Sequence, residues 1–155
     1  MGGVDKADAA HARRPYFFDL ARTGLRFAVR LGANFPFRPD RASSRVLSAF
    51  QAPAVQDELI DELVSNSARA MSATRVRGEL ADIASKGFYM AASDTTAGVT
   101  DLCAPVFDHS DGAVAALTLP YLKQRDVSVT VAAARQALLA TVGRISSGLG
   151  AAARR

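Results

Sequence analysis

The chain has 155 residues, of which 49% are hydrophobic and 22% charged, enough for one compact core and short of two comfortable domains. A lone cysteine, Cys103, excludes an internal disulfide, and two histidines, His11 and His109, offer no ligand set at usable spacing for a metal. The net charge of +4 is lopsided: residues 1–45 hold nine Lys or Arg against four Asp or Glu, and the remainder ten against eleven.

The arginines of the first third are scattered among apolar residues, which makes a weak nucleic-acid footprint and fits a solvated surface with one or two arginines turned inward. The longest uncharged stretch of the strongly apolar part, Gly112 to Leu122, falls short of the roughly 18 residues a membrane helix needs. Charges begin at Asp5 and Lys6, and no apolar run leads to a small-residue cleavage site. A cytoplasmic protein without a membrane segment is expected.

In chain order, residues 1–25 show no sustained period and read as a loop carrying the aromatic cluster Tyr16, Phe17 and Phe18. Leu25 to Phe37 alternates imperfectly and is broken by Gly32 and Pro36, as a strand entering a turn would be. Ala42 to Phe50 presents Val46, Leu47 and Phe50 on one helical face. Pro53 suits the first turn of a second helix, with Val55, Leu59, Ile60, Leu63 and Val64 inward and Asp57, Glu58, Asp61 and Glu62 in water. A third helix runs from about Thr74, with Val76, Leu80 and Ile83 inward, to a stop at Gly87.

Beyond Gly87 the segments Phe88 to Ala92, Val99 to Phe107 and Ala113 to Leu119 are short and apolar. The turn residues Asp108-His109-Ser110-Asp111-Gly112 join the last two into a hairpin. Asp126 is the expected N-cap of a long closing helix, whose inward positions would be Val127, Val131, Ala134, Leu138, Val142, Ile145 and Leu149. Helices mixed with antiparallel strands, without alternation, predict an α+β domain with helices packed on a sheet.

No catalytic constellation is found. The acidic run on the second helix is the wet side of an amphipathic stripe, Cys103 sits among Leu102, Ala104, Pro105 and Val106 as a small buried hydrophobe, and no nucleophile elbow, phosphate loop or dinucleotide fingerprint occurs. Neither an enzyme nor a bound metal or cofactor is expected.

Five segments in order resemble the effector-binding domain of the IclR family of bacterial transcriptional regulators. Arg30-Leu31-Gly32-Ala33-Asn34-Phe35-Pro36 is similar to that family's entry to the ligand site, and Arg41 to Phe50 to the helix after it. Leu80 to Phe88 resembles its third helical element with the closing glycine. Gly98 to Asp108 with Gly112 to Leu119 strongly resembles its "A-A-P-V-F-D…G-x-x-V-A-A-L-S-V" hairpin, and Ile145-Ser146-Ser147-Gly148-Leu149-Gly150 its end. The match runs from about Val4 to Gly150, with residues 1–24 read as an N-terminal remnant, 25–150 as the effector-binding domain and 151–155 as a basic tail.

The resemblance implies a GAF-like fold, a long C-terminal helix, a small-molecule pocket between sheet and helices, and a homodimer or tetramer. It also implies a winged helix-turn-helix domain on the N-terminal side, missing from this sequence, through which alone operator DNA would be read. The alternative is a stand-alone ligand-binding or dimerisation module without DNA binding. Position by position, the implied effector contacts are Phe35, Arg41, Ala42, Ala91, Asp101, Thr118 and Pro120. Arg41 would then either pair with Asp101 or clamp the carboxylate of a small organic acid, aromatic or of medium size, while Asp101 takes a hydroxyl or amine.

Overall fold

The computed structural model describes residues 35–68, 70–110, 112–123 and 129–152. The expected N-terminal loop and all but the end of the expected strand from Leu25 lie outside these residues. Phe35 to Phe37 are irregular.

Helix α1 spans Ala42–Ala49, and six of its eight residues are buried: Ala42, Ser44, Val46, Leu47, Ser48 and Ala49. Its small side chains let neighbouring elements approach closely, and the Ser48 hydroxyl donates back to the Ser44 carbonyl at 2.9 Å, so that hydroxyl is not buried without a partner. Helix α2 spans Pro53–Ser65 with the proline in its first turn, where its missing N–H removes no helical bond. Ile60 and Leu63 point into the core, and Asp57, Glu58 and Asp61 are exposed, as the stripe predicts. Helix α3 spans Ala73–Lys86; the Ser72 hydroxyl caps its start by accepting the Arg75 N–H, and Gly87 ends it at φ +79°, a conformation that suits glycine.

The three strands β1 (Tyr89–Ala92), β2 (Val99–Phe107) and β3 (Ala113–Leu122) form an antiparallel sheet in that order. β3 runs three residues past the expected Leu119, because pairing continues from Leu102 opposite Leu119 to Val99 opposite Leu122. Proline is tolerated at both of its positions for a geometric reason. The Val99 carbonyl accepts from Ser93 on the β1 side, so alternate β2 residues 101, 103, 105 and 107 also direct their backbone groups to that side. Asp101 and Pro120 are therefore a non-hydrogen-bonded pair, and the missing N–H of Pro120 interrupts nothing. Pro105 lies beyond Cys103, the last residue that β1 covers, so its missing N–H falls on an open edge.

Alternation puts successive β2 side chains on opposite faces. Cys103 packs with Ala42, Val46, Ala49, Ile60, Leu63, Val76, Leu80 and Ile83 of the first three helices. Leu102, Ala104 and Val106 pack with Ala134, Leu138 and Val142 of helix α4, Val131–Gly148. The sheet is thus sandwiched, with α1 backed by α2 and α3 on one face and α4 on the other.

Two expectations for α4 are corrected. The helix starts at Val131, with the Thr130 hydroxyl accepting the Ala133 N–H at 3.1 Å, and Val129 and Thr130 are not helical; Asp126 itself lies outside the described residues. Near the other end Ile145 and Leu149 are 41% and 48% exposed, whereas Ser146 is buried. The inward face follows Ala134, Leu138, Val142 and Ser146 at a spacing of four, and the seventh-residue step from Leu138 lands on the rim.

Candidate functional site

Residues paired across neighbouring strands share a face. Tyr89, Cys103 and Thr118 therefore form one row across the sheet, and Ala91, Asp101 and Pro120 the next, both turned to the α1 side that Cys103 defines. The Thr118 hydroxyl stands 3.2 Å from the Cys103 sulfur. The direction of α1 over this face follows from its ends: Phe50 meets Phe107 edge to face, with ring centroids 5.6 Å apart, and Arg45 reaches Tyr89. The helix thus covers the sheet from the Tyr89 row towards Phe107, with its N-terminal turn at the end away from Phe107.

Among the described residues no side chain caps that N-terminus. Arg41 is the N-cap residue, extended at φ −110° and ψ 126°, with no side-chain cap and no acidic residue in the first turn. Free N–H groups and the helix dipole leave partial positive charge there. Arg41 adds a full one: its guanidinium lies over the Phe35 ring at 4.6 Å, and among the described residues its buried Nε has no hydrogen-bond partner. No ion pair joins Arg41 to Asp101 among the described residues, so that alternative is not realised. Just upstream, Arg38 pairs with Asp40 at 3.1 Å and still leaves Arg38 Nε and Asp40 Oδ1 buried without partners. The entry segment is held by Ser44, whose hydroxyl accepts the Arg38 N–H at 3.2 Å.

The structure therefore brings Phe35 and Arg41 together and places Ala91, Asp101, Thr118 and Pro120 on one sheet face, with Ala42 buried at the start of the helix that covers that face.

Sequence reasoning missed a second cluster one turn along α1. Arg45, 16% exposed, donates to the Tyr89 hydroxyl, pairs with Asp94 at 3.1 Å and lies 4.0 Å from Glu79. Its guanidinium also sits over the Tyr89 ring at 5.3 Å. Burial pushes the Tyr89 phenol above its ordinary value, partly opposed by the Arg45 charge. The spacing of four between Arg41 and Arg45 was the available signal, since it stacks two cations on one helix edge and demands an anion for each. Among the described residues Arg45 pairs with carboxylates of the fold, although its Nε too is without a hydrogen bond, and no carboxylate pairs with Arg41.

Elsewhere, Asp108 is held below the usual carboxylate range first by the Ser110 side chain and then by the Ser110 N–H, which donates to it at 2.7 Å, and His109 is exposed beside it. A groove of about 300 Å³ opens between the end of β2 and the last turns of α4, lined by Pro105, Phe107, Val142, Gly143 and Ser146 among others. None of the expected contact residues lines it.

The model of a known family, the C-terminal domain of bacterial IclR transcriptional regulators, matches residues 20–147. The chain belongs to the IclR family. Among solved structures this IclR domain is similar to the repressor BlcR of Agobacterium tumefaciens, with 20% identity, a TM-score of 0.60 and coverage of 79% of this chain and 51% of that one. It is similar to an IclR-type regulator of Silicibacter sp. TM1040, with 18% identity, a TM-score of 0.68 and coverage of 86% and 53%. The C-terminal domain of E. coli KdgR gives 18% identity, a TM-score of 0.62 and coverage of 78% and 75%. These likenesses establish the shared GAF-like α+β fold. The chain spans about half the length of the first two regulators, and no curated protein sequence matches it.

Proposed function

We propose that this domain senses a small organic acid, aromatic or of medium size, for an IclR-type regulator. In that role it acts in the cytoplasm by binding rather than catalysis, self-associates as a dimer or tetramer, and reaches operator DNA through a winged helix-turn-helix domain. The observation that supports the reading best is that, among the described residues, no side chain caps the N-terminus of α1 and none partners the buried Nε of the adjoining Arg41, since both call for an anion. A carboxylate at the helix start would engage Arg41 and the free N–H groups, with its body against the Phe35 ring. Asp101 would accept from a hydroxyl or amine of the ligand, and Ala91, Thr118 and Pro120 would form the floor.

Calorimetric titration of a panel of organic acids into the protein and its Arg41→Ala variant tests the proposal. A charge-assisted pair contributes about 1.5–3 kcal/mol, so the variant should bind roughly ten- to a hundredfold more weakly. Equal affinity of both proteins for every acid that binds would remove Arg41 from the site.

A further inference from the structure

The two ends of α1 differ in kind. Its N-terminus is uncapped, whereas its C-terminal end is tied down from two directions. From α2, Gln56 donates to the carbonyls of Ser48 and Ala49 at 2.9 and 3.4 Å. From the sheet, the Ala113 N–H donates to the Phe50 carbonyl at 2.8 Å, and Gln51 Nε2 donates to the Ala113 carbonyl at 2.8 Å. Gly112 lies so close that a Cβ there would meet Gln51 Oε1 at 2.7 Å. The Phe50 and Phe107 rings complete the joint.

Ala113 and Gly112 belong to the tip of the β2–β3 hairpin, where the register shifts between Val106 and Phe107. That tip continues into α4, because the Phe107 N–H donates to the buried Ser146 hydroxyl at 3.0 Å and His109 Cβ stands 4.0 Å from the position a Gly150 Cβ would take. A chain of direct contacts therefore runs from Arg41 along α1, through Phe50 and Gln51, to the hairpin tip and the last turn of α4.

We propose that α1 and the hairpin tip move as one body joined by Gln51, so that an anion seated on the N-terminus of α1 is felt at Ala113, Phe107 and Ser146. The ligand arm of this proposal rests on the sensing function proposed above; the mechanical arm does not. Short helices shift as units because their bonds run along the axis, and packed joints adopt discrete arrangements instead of deforming smoothly. Coupling between two sites is also reciprocal, so disturbing the tip must disturb the far end of α1.

Amide hydrogen exchange on the whole chain tests both arms, with sodium benzoate as the probe acid. Without ligand, Gly112→Ala forces Gln51 aside and should speed exchange of the Arg45 and Val46 amides by about fivefold, the low end of coupling between sites. The Gln51→Ala/Gly112→Ala double variant, which has room for the new methyl, should exchange there at the rate of Gln51→Ala alone, because the added methyl then displaces nothing. Acceleration confined to residues 106–115 would overturn the proposal. In the wild type, benzoate should slow exchange at both α1 and Ala113, and in Gln51→Ala it should slow α1 alone. Protection of Ala113 that survives Gln51→Ala would show that Gln51 is not the joint. Benzoate without effect anywhere would count against the sensing function for this acid and leave the ligand-free comparison to decide the coupling.

Discussion

Ser44→Ala isolates one hydrogen bond at the entry to the site. Ser44 is fully buried, and its hydroxyl accepts the Arg38 N–H at 3.2 Å across six residues of chain. Alanine has nearly the same volume there and opens no cavity of consequence, so the main effect is a part-buried N–H left without an acceptor. Such an orphan costs about 1–3 kcal/mol. Alanine is the better helix former by a few tenths of a kcal/mol, which leaves a net loss of roughly 1–2 kcal/mol. For a chain of this size that lowers Tm by about 3–8 °C. Urea unfolding followed by circular dichroism should show a lower midpoint with an unchanged slope, the sign of a stability change alone. A loss below about 0.5 kcal/mol would mean that water replaces the hydroxyl and that Ser44 does not hold the segment leading to Arg41.

Thr130→Ala should destabilise the fold by about 1 kcal/mol through the lost cap of α4, measured in the same urea titration. Tyr89 sets an alkaline limit: its folded pKa is raised, so its contribution to stability is complete below the ordinary value of 10.0 and is lost as pH rises through the folded value. Thermal melts from pH 9 to 12 should fall less steeply for Tyr89→Phe than for the wild type, and identical slopes would refute the assignment. Ile145 and Leu149 on the rim of α4 and the proposed oligomer lead to a concentration-dependent sedimentation coefficient. Monomer alone at tens of micromolar, by order of magnitude, would contradict self-association.

Much of the fold was legible because the local signals agreed with one another. Pro53 at a helix start, Gly87 at a helix end and the Asp108 to Gly112 turn each have one favourable backbone setting, and α1, α2, α3 and β2 fall within a residue or so of their expected bounds. Misreadings occurred where two signals competed. Asp126 and Thr130 are both competent caps, and the sequence cannot rank them, since the choice depends on where α4 meets the sheet. Ile145 continues an apolar period that the sheet no longer covers. At the candidate site, residue types were visible but pairing was not. Arg41 and Arg45 look alike in sequence, and only the positions of β1, with Tyr89 and the following Asp94, and of Glu79 on α3 give Arg45 its carboxylates, while none among the described residues pairs with Arg41.

The placement of Pro105 bears on how the chain survives at high concentration. Past Cys103 the outer side of β2 has no β1 neighbour among the described residues, and an open strand edge is a template on which other chains can stack. Two residues direct their backbone groups to that side, Pro105 and Phe107. Proline has no N–H to offer, and that of Phe107 is already given to Ser146. Among the described residues an incoming strand would find carbonyl oxygens but no donor there, which works against edge-to-edge aggregation.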